Sequence, residues 1–170
     1  PDEAWIMEMV GKGGKSKGAV WVAMKVPDGY IAAHANHSRI HRFPLNDMEN
    51  CIYSPDVITF ARKQGYFNGK DEDFSFSKAY APADFGALRG CEARVWAFYN
   101  KFASGMDRYL PWINEGKGEV LPLWVKPDKP LSVDDMKWMM RDHFEGTPFD
   151  MTTDIGAGPY KVPYRARPME

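Results

Sequence analysis

The chain has 170 residues, a formal net charge of −1, and 44% hydrophobic against 26% charged residues. A body of this size buries roughly 70% of its unfolded surface, and its near-neutral balance excludes a global field that would recruit nucleic acid or an anionic membrane. No apolar run approaches the ~20 residues of a membrane-spanning helix, nothing near the start reads as a targeting signal, and two cysteines, Cys51 and Cys91, leave the compartment open.

Three strands are predicted first: AWIMEMV (4–10), AVWVAMKV (19–26) and YIAAHA (30–35), each short, apolar and bounded by turn residues. Pro27-Asp28-Gly29 predicts a hairpin between the second and third. Hydrophobic alternation is poor, because Trp5, Met7 and Met9 share one face while Ala4, Ile6 and Val10 fill the other. That predicts a sheet covered on both sides within a layered α+β structure.

Helices follow. SPDVITFARKQG carries Ser54 as predicted N-cap, Pro55 at the first helical position and Gly65 past the end. Leu88, Cys91, Val95, Phe98 and Phe102 recur at helical spacing, which predicts an amphipathic helix over 87–102. SVDDMKWMMRDHFEG opens on a capping box, Ser132 with Asp135, and is expected to close on Gly146. FNGKDEDFSF and YLPWINEGKGEVLPLW read as long loops. The expected organisation is one partial domain over 1–170, strand-rich at 1–45, helix- and loop-rich at 46–146, with an irregular tail at 147–170.

Several motifs invite chemistry. The glycine-rich GKGGKSKG contains Gly14-Lys15-Ser16, but a phosphate loop needs glycine where Met9 stands and a helix where a strand follows. A basic hairpin loop is the better reading. His34, His37 and His41 offer zinc-ligand types, yet the glutamate of a catalytic H-E-x-x-H helix is missing. The plainer account has His34 packed and hydrogen-bonded, with His37 and His41 solvated. Cys91 falls on an apolar helix stripe, and Cys51 has no identifiable histidine partner, so neither predicts a reactive thiolate. Pro1, whose terminal amine could act as a base, is separated from the first strand by Asp2 and Glu3. Asn36, the first polar residue after an apolar strand apart from His34, admits two readings. It either aims its amide at a developing oxyanion or caps its own turn.

Taken in order, WVAMKVPDGYIAAHANHSRI, SPDVITFARKQGYFN, CEARVWAFYNKF, LPLWVKPDKPLSVDDM and MMRDHFEGTPFDMTTDIGAGPYKVPYR resemble the dipeptidase family of N-terminal-nucleophile hydrolases. RDHFEGTPFDMT-x-DIGAGP is the most specific part. The resemblance implies an αββα sandwich, antiparallel strands first and then helices with long loops. It also implies a nucleophilic N-terminal cysteine whose own α-amine shuttles the proton, with no metal and no cofactor. The present sequence carries no such cysteine at its start, so it is expected to be an internal fragment, inactive alone, with the remainder of its chain and dipeptide substrates as partners. Carried over residue by residue, Asn36 matches the oxyanion asparagine and Arg94 an arginine beside the nucleophile, with Arg89 a close competitor. Arg39 is expected to bind a substrate carboxylate. A non-peptidase amidase of the same fold, and a noncatalytic binding module built on Trp112 and Trp124, are the alternative readings.

Overall fold

Residues of high strand propensity flank the glycine loop, and a hairpin results. In the computed structural model, which describes residues 3–14 and 17–150, β1 (Trp5–Gly11) and β2 (Ala19–Lys25) pair antiparallel. Their register runs from Trp5↔Lys25 to Gly11↔Ala19. The Lys12 N–H donates to the Gly18 carbonyl at 3.0 Å, and Gly18 adopts φ 89°, a conformation that favours glycine. The glycine-rich segment is thus the hairpin loop the sequence predicts, although Lys15 and Ser16 lie outside the described residues.

The second predicted hairpin does not form. A short strand missed by the sequence reading, β4 (Cys51–Tyr53), takes the other side of β2 and gives the order β1-β2-β4. The segment expected as a six-residue strand contracts to β3 (Ile31–Ala32). Pro27 to Tyr30 is a tight turn closed by the Tyr30 N–H on the Pro27 carbonyl at 3.1 Å, with Gly29 at φ 78° as a type II turn requires. That turn redirects the chain away from β2 instead of folding it back.

Burial alternates along β1, whereas β2 breaks the pattern at Ala23, buried next to Val22. Ile6, Glu8, Val20, Val22 and Cys51 face inward, the last three fully buried, and each such aliphatic side chain contributes roughly 1.5–3 kcal/mol. Trp5, Met7, Met9 and Ile52 face outward and are exposed. The weak alternation of the sequence therefore reflects apolar side chains on both faces of the sheet, with Ala23 buried on the face where Met7 and Ile52 are exposed.

α1 (Val57–Lys63) follows β4. Ser54 does not cap it: its Oγ accepts from the Trp21 N–H at 3.1 Å and its own N–H bonds the Trp21 carbonyl at 2.9 Å, fastening helix entry to β2. At the far end the Gly65 N–H bonds the Arg62 carbonyl and the Tyr66 N–H the Ala61 carbonyl, a Schellman closure with Gly65 at φ 75°. A 3-10 turn at Asp71–Asp73 and α2 (Phe76–Tyr80), capped by Ser75, break up the expected FNGKDEDFSF loop.

The chain divides into two compact units, Pro1–Ala83 and Asp84–Glu170. In the second, the predicted helix over 87–102 is a continuous helical run in three parts: α3 (Phe85–Ala87), a π turn (Leu88–Glu92) and α4 (Ala93–Phe102). Trp96 and Tyr99 anchor α4 in the core, donating to the Met106 and Leu123 carbonyls at 2.8 and 2.6 Å. The second expected loop contains a helix, α5 (Leu110–Glu115), with Pro111 in its first turn and Gly116 closing it at φ 67°.

After the short strand β5 (Trp124–Val125) comes α6 (Val133–Met139). Its capping box forms as predicted: the Asp135 N–H donates to Ser132 Oγ at 3.2 Å and the Ser132 N–H to Asp135 Oδ2 at 2.7 Å. The helix stops at Met139 and not at Gly146, because Phe144 is drawn into the core at φ 66°. Of the expected tail only 147–150 is described; there Phe149 is fully buried, edge-on to Trp96 at 5.2 Å. The architecture is antiparallel strands followed by helices, a mixed α+β chain, and no described helix is long and apolar enough to cross a membrane.

Gly65→Ala is expected to destabilise by about 1–2 kcal/mol through the left-handed backbone alone, since open space surrounds the position. Gly11→Ala, equally open but without positive φ, should be near neutral; urea unfolding of both variants checks the contrast.

Candidate active site

Strand alternation places Glu8, in phase with Ile6, on the inward face of β1, where it is 5% exposed. A buried carboxylate is tolerated only when donors surround it. Four do: His34 Nε2 lies 3.0 Å from Oε1, the Ile40 N–H donates to Oε1 at 3.0 Å, and the Arg39 N–H and the Ser38 hydroxyl complete the set. Burial pushes the Glu8 pKa up, but the bonds from His34, Ser38, Arg39 and Ile40 outweigh it and hold the carboxyl below its ordinary value of 4.5.

Those donors come from one segment. Arg39, 4% exposed, also sends Nη1 back to the Ala33 carbonyl at 3.1 Å. The loop from Ala33 to Ile40 is therefore tied at both ends. Between the ties the His37 N–H donates to the Ala35 carbonyl at 2.7 Å, a three-residue γ-turn centred on Asn36. Asn36 is the exposed apex of this turn. It opens on a cavity of about 320 Å³, walled by Met7, Met9, Val10 and Phe76 and by the polar His34, His37 and Ser38. Cavities of this size and mixed lining suit small ligands.

The other sequence candidates fall as follows. Arg39 stands beneath the same loop, buried and bonded to it, so its position is one of support. Arg94 belongs to the second unit, where Nε donates to the Gly90 carbonyl at 2.5 Å and Nη2 lies 3.6 Å from Cys91 Sγ. Arg89 is 8% exposed, donates to Asn114 Oδ1 at 2.6 Å and lies over the Phe149 ring at 4.6 Å. Trp112, on α5, has a buried Nε1 that finds no hydrogen-bond partner among the described residues.

The histidines divide. His34 makes the expected hydrogen bond to Glu8 but is exposed and not packed, and His41 is not simply solvated: its Nδ1 lies 3.1 Å from Ser77 Oγ and 3.4 Å from Ser75 Oγ. Among the described residues no group of three or more His, Cys, Asp or Glu is arranged to hold a metal ion. The Cys51 thiol is fully buried, and burial, with the Asp47 charge, pushes its pKa up to about 11. It is a protonated core thiol at neutral pH.

Sequence reasoning overlooked Glu8. Its signal was present: a lone carboxylate at an inward position of an otherwise apolar strand, which demands partners wherever the strand is buried.

With this geometry in place, comparison with known proteins identifies the class. The profile of peptidase family C69 matches residues 1–170, and the chain belongs to that family. It is 28% identical over 148 residues to a protein named probable dipeptidase from Salmonella dublin, covering 87% of this chain and 32% of that protein. A probable dipeptidase from Latilactobacillus sakei is likewise 28% identical, over 167 residues, covering 97% of this chain and 32% of that protein. Dipeptidase A from Lactobacillus helveticus is 22% identical over 169 residues, covering 96% and 32%. The chain thus spans about a third of the length of the curated relatives it matches.

Two outcomes test the electrostatics. Alkylation of the folded protein at about pH 8, below the Cys51 value of about 11, should leave Cys51 unmodified by mass spectrometry until denaturant is added. For Glu8, a lowered folded pKa means that its stabilisation is complete above the unfolded value and lost as pH falls through the folded one. Glu8→Gln should therefore flatten the acid limb of a stability–pH curve measured by thermal unfolding.

Proposed function

We propose that this chain is part of a cysteine-type dipeptidase, one partial domain of an αββα sandwich, whose nucleophile is an N-terminal cysteine supplied by chain outside these residues. Support comes from membership of peptidase family C69, from relatives named as dipeptidases, and from the two internal cysteines. Cys51 is buried with a raised pKa, and Cys91 sits within the π turn; neither carries an α-amine.

The chemistry follows from what each group can do. A terminal α-amine with pKa near ~7.7–8.0 accepts the thiol proton. The thiolate attacks the dipeptide carbonyl, and the carbonyl electrons move onto oxygen. Asn36 Nδ2 donates to that oxyanion. Collapse expels the amine of the second amino acid, which leaves with the proton held by the α-amine, and water then hydrolyses the thioester. Arg94 tunes the charge around the nucleophile, and Arg39 holds the loop that carries Asn36 while its charge favours a substrate carboxylate. Dipeptides are the partners of this site, with no cofactor, nucleic acid or membrane taking part.

The observation that carries the reading is the position of Asn36, an exposed amide at the apex of a tied loop, on a cavity of about 320 Å³. Asn36→Ala in the full-length enzyme should lower kcat by roughly a hundredfold or more. An unchanged rate in a dipeptide assay would leave Asn36 a turn residue. The 170 residues alone should release no amino acid from a dipeptide panel; turnover by this chain would overturn the external-nucleophile reading.

A further inference from the structure

The most demanding group in the first unit is Glu8, a carboxylate that no catalytic step uses. The residue is 5% exposed, on a strand whose other inward residues are apolar. Isoleucine or valine would fill such a position without requiring donors. The carboxylate instead takes up donors from both sides of Asn36. His34 Nε2 lies at 3.0 Å two residues before it, the Ser38 hydroxyl bonds two residues after it, and the Arg39 and Ile40 N–H groups follow.

The arrangement has a mechanical consequence. A γ-turn is held by one backbone bond, here 2.7 Å between the His37 N–H and the Ala35 carbonyl, and an isolated one samples alternatives readily. Bonds from both flanks to a single rigid strand residue remove that freedom. The Arg39 Nη1 bond to the Ala33 carbonyl, 3.1 Å, closes the same loop from its outer side. An oxyanion donor is effective only when its direction is fixed before the charge develops.

We propose that Glu8 is a positioning residue for the proposed hydrolysis, fixing the Asn36 side chain by clamping His34, Ser38, Arg39 and Ile40 to β1. This inference rests on the reading of Asn36 as oxyanion donor, and it adds a residue from the first strand to that site. Glu8 itself touches no reacting atom. Its effect passes through the loop.

The test uses the full-length, processed enzyme and four forms: wild type, Glu8→Gln, Asn36→Ala and the double variant. Glu8→Gln keeps the shape and removes the charge. It should lower kcat roughly tenfold or more while KM stays within about twofold, as loss of transition-state alignment does. In the Asn36→Ala background the same change should cost little, because the residue it positions is gone. Equal losses in both backgrounds would show a merely structural carboxylate and overturn the proposal.

Amide hydrogen exchange separates this from failure of the functional reading. If wild type hydrolyses no dipeptide, the dipeptidase reading falls, whereas the clamp still stands or falls on exchange at Arg39 and Ile40. Faster exchange at both in Glu8→Gln supports it, and unchanged exchange refutes it. Should Glu8→Gln not fold, Ser38→Ala, which removes one of the four donors, takes its place in both measurements, with a smaller loss in the same direction expected and no loss refuting the clamp.

Discussion

One buried carboxylate organises the loop that carries Asn36 in the first unit. Glu8 is carried inward by the alternation of β1 and cannot remain there without donors. The loop that supplies them is therefore not free to wander. The hairpin fixes Glu8, Glu8 fixes residues 34–40, and that segment presents Asn36 at the mouth of the cavity. The net lowering of its pKa expresses the same balance: the donors outweigh the burial that opposes ionisation.

Ser54 and Arg39 illustrate a related economy. Each is a residue whose type suggests one role while its neighbours assign another. Ser54 reads as a helix cap, but the strand edge formed by Trp21 offers it a paired backbone N–H and carbonyl, and it bonds there instead. Arg39 reads as a carboxylate receptor, and in the fold its guanidinium bonds the backbone at Ala33.

Much of the fold was legible because its signals are local. The first hairpin, the Ser132–Asp135 capping box and the glycine closure of α1 each depend on residues within a few positions of one another, and each formed as read. What escaped depends on partners far along the chain. β4 is three residues long and exists because β2 has an open edge. The Pro27–Tyr30 turn looks like a hairpin until β4 occupies that edge. α5 hid in a segment rich in Pro and Gly, although Pro111 in its first turn and Gly116 at its end are helix punctuation. In the proposed site, Asn36 is singled out by resemblance and not by spacing. Glu8 was passed over because a single acidic residue in a strand carries meaning only once the inward face is known.

The π turn at Leu88–Glu92 explains why the phase between Arg89 and Arg94 was hard to read. A π turn amounts to one residue more than the surrounding α-helix needs, and in a regular helix one residue corresponds to about 100° of rotation. Excising a single position there would restore an unbroken helix but turn α3, with its Asp84 cap, to a different bearing from the buried face set by Trp96 and Tyr99. Shortening this segment is therefore a different operation from substituting within it: the first re-aims α3, while the second changes one side chain and leaves the helix on course.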